Sequence, residues 1–413
     1  MVNLKRLAVG LVVILALPGS AGALAGTRTY SLKELEEAVL KTHPALKVAG
    51  AEIDKNKAEL RIARQYPNPE IEGLASSQRP PEGGTLGTGF SIELSQTIQW
   101  PGQRSKKQEA ARFGIDSARQ KLLQEQIDIR ARCRELYYRV LADQQLLQIA
   151  VKNLESAQTL LDIAEKRVRL GESRPMELVK ARVEFFSLER GRDKAQATLA
   201  GSRQILQQFM AGSLPPDFAL TAAPVKLEPL VPWKRWHEAA RRSHPLLAAQ
   251  AAKVRQAEST LGAERQAWVP DVTVKAFHVQ EIDLIATGGG LSFPLPLWNR
   301  KEGEVARAAA ARSQAQSELR LLKQDLETKL AAQYSLYETA RRQAESFQTA
   351  ILKEAAESLR VARFSYEHGE TSLLELLDSR RVYRGTEQDY YKALLDYRLA
   401  RVELWRLAGG GVK

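Results

Sequence analysis

The clearest pattern in the chain is a strict alternation of apolar and polar side chains between residues 90 and 100. One parity carries the apolar side chains, interrupted only by Gln96: Phe90, Ile92, Leu94, Ile98 and Trp100. A period of two predicts a β-strand with one apolar face and one polar face. Pro101 and Gly102 end this strand, and the residues that follow keep a helical period for many turns. The pattern therefore predicts a strand that runs directly into a very long helix.

The chain contains two similar halves. His43-Pro44 recurs as His244-Pro245, and Phe90–Leu94 recurs as Leu291–Leu295, each about 200 residues later, which is far longer than a solenoid repeat. Gly171-Glu172 recurs as Gly369-Glu370 at nearly the same spacing. Because these landmarks keep their order, we interpret the chain as a duplicated domain half.

Each half is predicted to contain the same series of elements. The predicted elements are a first helix (Ser31–Gln65 or Trp233–Ala267), a strand pair (69–78 with 88–100, or 270–281 with 287–298), a long helical run (103–168 or 300–366), a glycine turn and a returning helix (175–211 or 372–407). Pro294 and Pro296 cannot donate backbone hydrogen bonds, so the end of the last strand is expected to be irregular.

The domain boundaries follow from this duplication. Residues 1–25 are predicted to be a secretory signal, because Lys5 and Arg6 precede a short apolar run and Ala23-Leu24-Ala25 has the form of a cleavage site. The first repeat is predicted at 26–212 and the second at 233–408. A proline-rich linker at 213–232 joins them, and 409–413 is expected to be a flexible tail.

The long helical runs carry coiled-coil seams. The run 103–168 would be about 100 Å long at 1.5 Å per residue. Small and large apolar residues alternate along its seam in steps of four and three: Ala150, Leu154, Ala157, Leu161, Ala164 and Val168. Such a seam favours close packing of long helices. A soluble coiled-coil rod is one alternative, but it does not explain the four predicted strands.

The composition of the chain limits the activities that it can have. The net charge of +12 is spread along the helices, and together with the predicted signal it gives no indication of nucleic acid binding. The chain has 1 Cys, 3 Met and 5 His, with no HExxH motif and no paired spacing of metal ligands. We therefore predict no enzyme activity, no catalytic residue, no cofactor and no metal site.

Four strands are too few to form a closed transmembrane sheet. Open sheet edges are not tolerated in lipid, and transmembrane barrels need roughly eight strands or more. Several copies of the chain would therefore have to share one barrel, with the polar faces of the strands lining a pore.

Several motifs, taken with their order, resemble the TolC-like outer-membrane efflux family, and most of all its CzcC/CusC heavy-metal branch. They are PNPEIEG at 67–73, FSIELSQTIQWPGQR at 90–104, LPLWNRKEG at 295–303 and the two glycine turns. The resemblance implies a mainly α fold with duplicated halves and a small membrane β-barrel in the outer membrane. It implies a homotrimer with twelve strands and a long α-helical barrel in the periplasm. The implied partners are a periplasmic adaptor (membrane fusion protein) and an inner-membrane pump of the resistance-nodulation-division (RND) type.

Strand parity and the resemblance together assign faces and tips. Side chains expected to face outer-membrane lipid are Phe90, Ile92, Leu94, Val272 and Val274. Side chains expected to face the barrel lumen are Glu93, Thr97, Asp271 and Lys275. The turns at 169–174 and 367–372 are predicted to form the periplasmic tips that contact the adaptor, through Gly171, Glu172, Gly369 and Glu370.

The resemblance also implies a periplasmic gate formed by Glu375, Asp378, Tyr366 and Glu177. Thr371 occupies a position where the family has a basic residue, and Arg174, Arg182 and Arg380 are the alternatives for its role. An ordinary explanation is that Glu375 and Asp378 are solvated carboxylates near a helix N-terminus.

The function predicted from the resemblance is a passive exit duct of a tripartite efflux system, with heavy-metal cations as cargo. Drug or organic-solute efflux, and a type I secretion duct, remain alternatives with the same fold. A non-conducting envelope scaffold is the alternative from a different functional class.

Overall fold

The computed structural model describes residues 28–78, 83, 86–222 and 227–412, and the predicted signal sequence lies outside them. The first half contains β1 (Thr29–Tyr30), α1 (Leu32–Thr42), α2 (Pro44–Arg64), β2 (Glu70–Gln78), β3 (Gly87–Ile98), α3 (Pro101–Arg169) and α4 (Pro175–Phe209). The second half contains β4 (Ala219–Leu220), α5 (Trp233–Ser243), α6 (Pro245–Gln266), β5 (Val272–Gln280), β6 (Ile285–Ser292), α7 (Glu302–Ser346), α8 (Leu352–Glu367) and α9 (Leu373–Leu407). A π-helical turn, Phe347–Ile351, joins α7 to α8.

The first helix of each half is broken, whereas the sequence predicted it to be continuous. His43 and His244 have extended backbones, with ψ of 126° and 117°. A proline ring clashes with a helical conformation of the residue before it, so the chain leaves the helix at each histidine and starts a new helix at the proline. The Nδ1 atom of each histidine then caps the new helix, because it accepts the backbone N–H two residues ahead at 3.3 and 3.2 Å.

Two other predicted elements are shorter or interrupted. The last strand ends at Ser292 and not at residue 298, since Pro294 and Pro296 lack the N–H groups that a ladder requires. The helical run 300–366 is interrupted by the π-helical turn, which fits one extra residue into the helix.

The linker contains a short strand, and part of the predicted tail contacts the core. Within the linker, β4 pairs in parallel with β1, with Thr29 opposite Ala219. The tail is not wholly free, because Val412 packs against the core of the second half. Gly410 has a φ of +73° and brings the chain back against Trp405. The approach is close, because a Cβ added at Gly410 would lie 3.2 Å from the Trp405 ring.

Each half has its own hydrophobic core beside its broken helix. The first core is centred on Leu35, Val39, Val140, Leu206 and Phe218. The second is centred on Trp236, Leu330, Tyr337 and Leu404. These two cores fix the helices midway between the sheet and the glycine turns. Over the described residues, the structure has no helix that is both long and apolar enough to cross a membrane.

The strands from the two halves form one antiparallel sheet with the order β2-β3-β5-β6. Strand β3 pairs with β5 across the two halves, with Leu94 opposite Ala276 and Ile98 opposite Val272. The outer strands β2 and β6 each have one edge that is unpaired within the described chain. Since α2 and α6 precede the sheet and α3 and α7 follow it, the helices all lie beyond one end of the sheet.

Candidate functional site

The two faces of the sheet differ in chemistry. On β3, the apolar residues Phe90, Ile92 and Leu94 are exposed, whereas Ser91 and Glu93 on the opposite face are partly covered. Directly paired residues in an antiparallel sheet share a face, so Val272 and Val274 of β5 lie on the face of Ile98 and Gln96. The structure thus places the five residues predicted to face lipid on one side of the sheet.

The opposite face carries a short polar network. The Lys275 ammonium donates to a Glu93 carboxylate oxygen at 2.5 Å, and the hydroxyl groups of Thr97 and Thr273 are 3.0 Å apart. Asp271 differs from the other three predicted lumen residues. Its carboxylate accepts the backbone N–H of Trp100 at 2.8 Å, just beyond the strands, so it fixes the start of α3 to the start of β5.

The end of the sheet nearest the helices carries exposed aromatic side chains that were not predicted as a group. Tyr66 precedes β2, Trp100 follows β3, Trp268 precedes β5 and Trp298 follows β6, and all four are exposed. Each therefore stands a few residues from the helix-proximal end of a different strand. Aromatic rings at strand ends are typical of the boundary between membrane and water in transmembrane β-proteins. The recurring position next to each strand is a signal that the sequence did contain.

The two predicted tips have the same backbone. Gly171 and Gly369 both have a φ of +76°, the left-handed conformation that glycine adopts without strain. The backbone N–H of Glu172 donates to the Arg167 carbonyl at 2.8 Å, and that of Glu370 donates to the Ser365 carbonyl at 2.8 Å. Both turns are therefore Schellman motifs, which reverse the chain at the end of a long helix.

The second tip is closed by a small apolar cluster. Tyr366 at the end of α8 is buried against Leu160 of α3 and against Leu373, Leu376 and Leu377 of α9. The Arg167 guanidinium lies 5.0 Å from the centre of the Tyr366 ring, within cation–π range. The Tyr366 hydroxyl is buried and, among the described residues, has no hydrogen-bond partner. Tyr366 therefore joins α3, α8 and α9 near the tip.

Glu375 and Asp378 lie together on an exposed face of the first turns of α9. The backbone N–H of Glu375 donates to the hydroxyl oxygen of Ser372 at 3.4 Å, which caps the helix. The two positions are three apart, which places both carboxylates on one helix face. Within one described chain, neither carboxylate has an ion-pair partner, and Glu177 lies separately on α4. The structure thus brings two of the four predicted gate residues together.

Two of the three alternative basic residues have other partners within the chain. Arg182 pairs with Glu165 at 3.2 Å, and Arg380 donates to the backbone carbonyl of Ser156 at 3.1 Å. Burial, with the nearby guanidinium groups of Arg363 and Arg384, lowers the pKa of Arg380 below its usual value. The Thr371 hydroxyl is buried and, over the described part of the chain, has no hydrogen-bond partner.

The start of α4 exposes an apolar seam that is not covered within the described chain. Its members recur in steps of three and four and are all exposed: Met176, Val179, Val183 and Phe186. This spacing is the seam of a coiled coil. In the corresponding part of α9, Leu373, Leu376 and Leu377 are buried, and Leu374, the counterpart of Met176, is exposed.

The described residues contain no group of three or more His, Cys, Asp or Glu side chains that could hold a metal ion. The Cys133 thiol is buried in the first core, and burial raises its pKa to about 12. A thiol with such a pKa is protonated at neutral pH and is inert as a nucleophile or ligand.

An amphipathic sheet joined to helices of about 100 Å, with glycine turns at the far end, defines the class of outer-membrane channel proteins with a periplasmic helical tunnel. The chain matches the model of the outer membrane efflux protein family over residues 35–212 and 236–410. The chain belongs to this family, which confirms the resemblance and the location in the outer membrane.

Individual relatives agree with this assignment. The chain is 27% identical over 338 residues to the cobalt-zinc-cadmium resistance protein CzcC of Cupriavidus metallidurans, covering 81% of this chain and 79% of CzcC. It is 25% identical over 384 residues to the pyoverdine export outer membrane protein OpmQ of Pseudomonas putida, covering 85% and 75%. A crystal structure of CusC superimposes with a TM-score of 0.78 at 22% identity over 93% of each chain, and this supports the fold.

Proposed function

We propose that three copies of this chain assemble into the passive exit duct of a tripartite efflux system. The observation that carries the proposal is the four-stranded sheet with two unpaired edges, at β2 and β6. Unpaired backbone groups are costly in lipid, so each edge needs a strand from another copy. Pairing β6 of one copy with β2 of the next gives twelve strands in a trimer.

The helical part supports the same assembly. The exposed seam of α4 needs a partner helix, and exposed apolar residues Val361 and Phe364 of α8 offer a second short seam on another side of the chain. Packing one seam against the other in a neighbouring copy would close a helical tube around an axis. In this arrangement the repeats 26–212 and 233–408 contribute equally to the wall, after removal of the signal at 1–25.

The proposed surfaces follow from the geometry of the chain. The face with Ile92 and Val274 contacts lipid, and the face with Glu93, Thr97 and Lys275 lines the lumen, with Asp271 at its periplasmic end. The turns at Gly171-Glu172 and Gly369-Glu370 lie farthest from the membrane and would meet the periplasmic adaptor. An RND-type pump in the inner membrane would deliver the cargo.

We propose heavy-metal cations as the cargo, because the relative CzcC is named for cobalt, zinc and cadmium resistance. Three copies of Glu375 and Asp378 around an axis would form a ring of carboxylates at the periplasmic entrance, with Tyr366 and Glu177 beside it. Such a ring attracts cations and disfavours anions, as acidic rings do in cation channels. Organic-solute efflux is a second candidate, because OpmQ is named for pyoverdine export.

The decisive experiment combines single-channel recording with metal tolerance. The purified protein should cross-link as a trimer and conduct in a planar bilayer, and its gene with that of its pump should restore zinc, cobalt or cadmium tolerance to a sensitive host. The double variant Glu375→Gln, Asp378→Asn should conduct with reduced cation selectivity, whereas Glu367→Gln on α8 serves as a control at a similar distance from the turn. A folded trimer that does not conduct would indicate an envelope scaffold. A conducting trimer that restores resistance only to organic solutes would show that the cargo is organic and not a metal cation.

A further inference from the structure

The segment between β6 and α7 is an exposed apolar stretch that no other described part of the chain covers. Phe293, Leu295, Leu297 and Trp298 are all exposed, and Trp298 is 94% exposed. Pro294 and Pro296 alternate with them and cannot donate to a sheet, so the segment separates from the ladder after Ser292. Four large apolar side chains in six residues are too many to be left in water without a partner.

The position of this segment indicates what covers it. It lies at the helix-proximal end of the sheet, where Tyr66, Trp100 and Trp268 are also exposed. The chain belongs to an outer-membrane family, so this end of the sheet is the boundary between the membrane and the periplasm. Aromatic and apolar side chains at that level lie among lipid headgroups and the first acyl carbons. The segment continues the exposed apolar face of the sheet into this zone.

The residues that follow supply a positive charge at the same level. The Lys301 ammonium is paired with Glu304 at 3.0 Å. Arg300 is exposed and, among the residues that the structure describes, has no carboxylate partner. A guanidinium group two residues from an apolar anchor can bind a phosphate through two parallel hydrogen bonds.

The first half lacks the C-terminal part of this feature at the equivalent place. With the two long helices aligned at Pro101 and Glu302, Leu297, Trp298 and Arg300 correspond to Gln96, Thr97 and Gln99. Gln96 remains in β3, and its side-chain amide donates to the backbone carbonyls of Pro67 and Thr97 at 3.0 and 2.9 Å. Phe293 and Leu295 correspond to the exposed Ile92 and Leu94 of the first half, so they belong to the duplicated pattern. The end of the segment with Trp298 and Arg300 is specific to the second half.

We propose that residues 293–300, which we name the rim segment, form a phospholipid-binding anchor in the periplasmic leaflet of the outer membrane. Phe293, Leu295, Leu297 and Trp298 enter the boundary between headgroups and acyl chains. Arg300 binds the headgroup phosphate, with a preference for lipids that carry a net negative charge. The inference rests on the outer-membrane location and does not require that the channel conducts.

Fluorescence quenching by lipid tests the apolar part. The chain has 6 Trp. Trp100, Trp268 and Trp298 lie at the helix-proximal end of the sheet, and Trp233, Trp236 and Trp405 lie in the second core. The full-length protein is reconstituted in phosphatidylcholine vesicles whose acyl chains are brominated near the headgroup. We expect Trp298→Phe to remove a large part of the quenchable emission and Trp233→Phe to remove none. Equal quenched emission in the wild type and in Trp298→Phe would overturn the anchor, and it would indicate that a neighbouring copy covers the rim segment.

Headgroup preference tests the basic part. Mixed vesicles contain equal phosphatidylglycerol and phosphatidylcholine, with only one of the two brominated in each sample. The wild type should be quenched more by brominated phosphatidylglycerol, and Arg300→Gln, which copies Gln99 of the first half, should lower this preference about fivefold, the effect of one basic side chain near an anionic surface. Arg320→Gln, on an exposed face of α7 away from the sheet, should leave it unchanged. An equal preference in wild type and Arg300→Gln would remove phosphate binding from the proposal.

The same vesicles separate this inference from the proposed duct. Trimer cross-linking and ion conductance are measured on each preparation. A conducting trimer whose Trp298 is not quenched would overturn lipid binding by the rim segment and would leave the proposed duct unaffected. A protein whose Trp298 is quenched with the expected lipid preference, but which does not conduct, would overturn the proposed duct and support lipid binding by the rim segment.

Discussion

The two tips of the molecule have the same backbone and different surroundings. At Gly171 and Gly369 the φ angles and the paired hydrogen bonds of the turn are the same. After the second turn, Ser372 caps α9, and Leu373, Leu376 and Leu377 are buried against Tyr366. After the first turn, α4 begins at Pro175 without a side-chain cap and exposes Met176 and Val179.

This difference shows that a duplicated turn can be kept while its two copies take different tasks. The turn depends on local backbone geometry, which one glycine supplies. The packing of the returning helix depends on which side chains meet a neighbouring helix. In the second half these neighbours belong to the same chain, so the tip is stabilised internally. In the first half the apolar surface stays exposed within the described chain.

The largest expected effect concerns equivalent leucines of the two returning helices. Leu376 is 2% exposed, whereas its counterpart Leu178 is only partly covered. We expect Leu376→Ala to lower the free energy of unfolding by about 2–5 kcal/mol, because it leaves a cavity in a packed cluster. Leu178→Ala should cost about 1 kcal/mol or less in the isolated chain. Urea unfolding of detergent-solubilised monomer, followed by helical circular dichroism, measures both, and similar costs would contradict the difference between the tips.

The second largest effect is a pH dependence of stability, and it should differ between the two histidines at the breaks in the first helices. His244 is 4% exposed, and burial together with the Arg406 charge lowers its pKa to about 4, against the opposing charge of Asp128. Its neutral Nδ1 accepts the N–H of Leu246, so the folded state resists protonation and the unfolded chain takes up the proton first. The stabilisation is therefore complete above about pH 6.5 and is lost as the pH falls towards 4, by at most about 3 kcal/mol.

Thermal unfolding between pH 4 and pH 7.5 measures this effect. His244→Asn keeps a side-chain cap but does not titrate, so its melting temperature should depend less on pH than that of the wild type. The matched variant His43→Asn should retain the pH dependence, since His43 is more exposed. The same pH dependence in His244→Asn and in the wild type would show that His244 is not its source.

A smaller and equal effect is expected at the two turn glycines. In both turns a Cβ would meet no atom within 4 Å, so the cost of alanine comes only from the left-handed backbone. Gly171→Ala and Gly369→Ala should each lower the stability by about 1 kcal/mol. Denaturant midpoints that differ clearly between the two variants would show that the turns are not equivalent.

The smallest effect is expected at Arg182, which corresponds to the partly buried Arg380 of the second half. Arg182 and Glu165 form an ion pair whose side chains are 54% and 39% exposed. Exposed pairs contribute about 0–1 kcal/mol, so Arg182→Ala should barely change the denaturant midpoint. Arg380→Ala should cost more, because its guanidinium holds α9 to the Ser156 carbonyl of α3. A larger loss at Arg182 would indicate that the first tip is packed more tightly than the structure shows.

Much of the architecture could be predicted from local patterns. The alternation around Ile92 predicted the strand and its apolar face, and the glycines at 171 and 369 predicted both turns. The breaks at His43 and His244 were not predicted, because the amphipathic pattern continues across them and only the proline shows where the helix ends. Strands β1 and β4 were not predicted either, because their two-residue pairing has no periodic signal.

The site was predicted less completely than the fold. Parity alone placed Glu93 and Lys275 on one face, but their ion pair required the register between β3 and β5. Asp271 was predicted to be a lumen residue by the same parity, and the structure adds that it anchors the Trp100 backbone. The partners of Arg182 and Arg380 are on other helices, so no spacing within one helix could have indicated them.

The sequence by itself determined the properties that depend on near neighbours along the chain. These are the period of each element, the positions of its turns and the duplication, because hydrophobic periodicity and glycine conformations act over a few residues. Only the tertiary structure decided which apolar faces are covered. Leu376 of α9 is buried and Leu178 of α4 is only partly covered, although the two occupy equivalent positions, because burial depends on helices that lie far away in sequence. The tertiary structure also decided that the aromatic side chains beside the four strands lie at one end of one sheet, because the pairing of β3 with β5 joins the two halves.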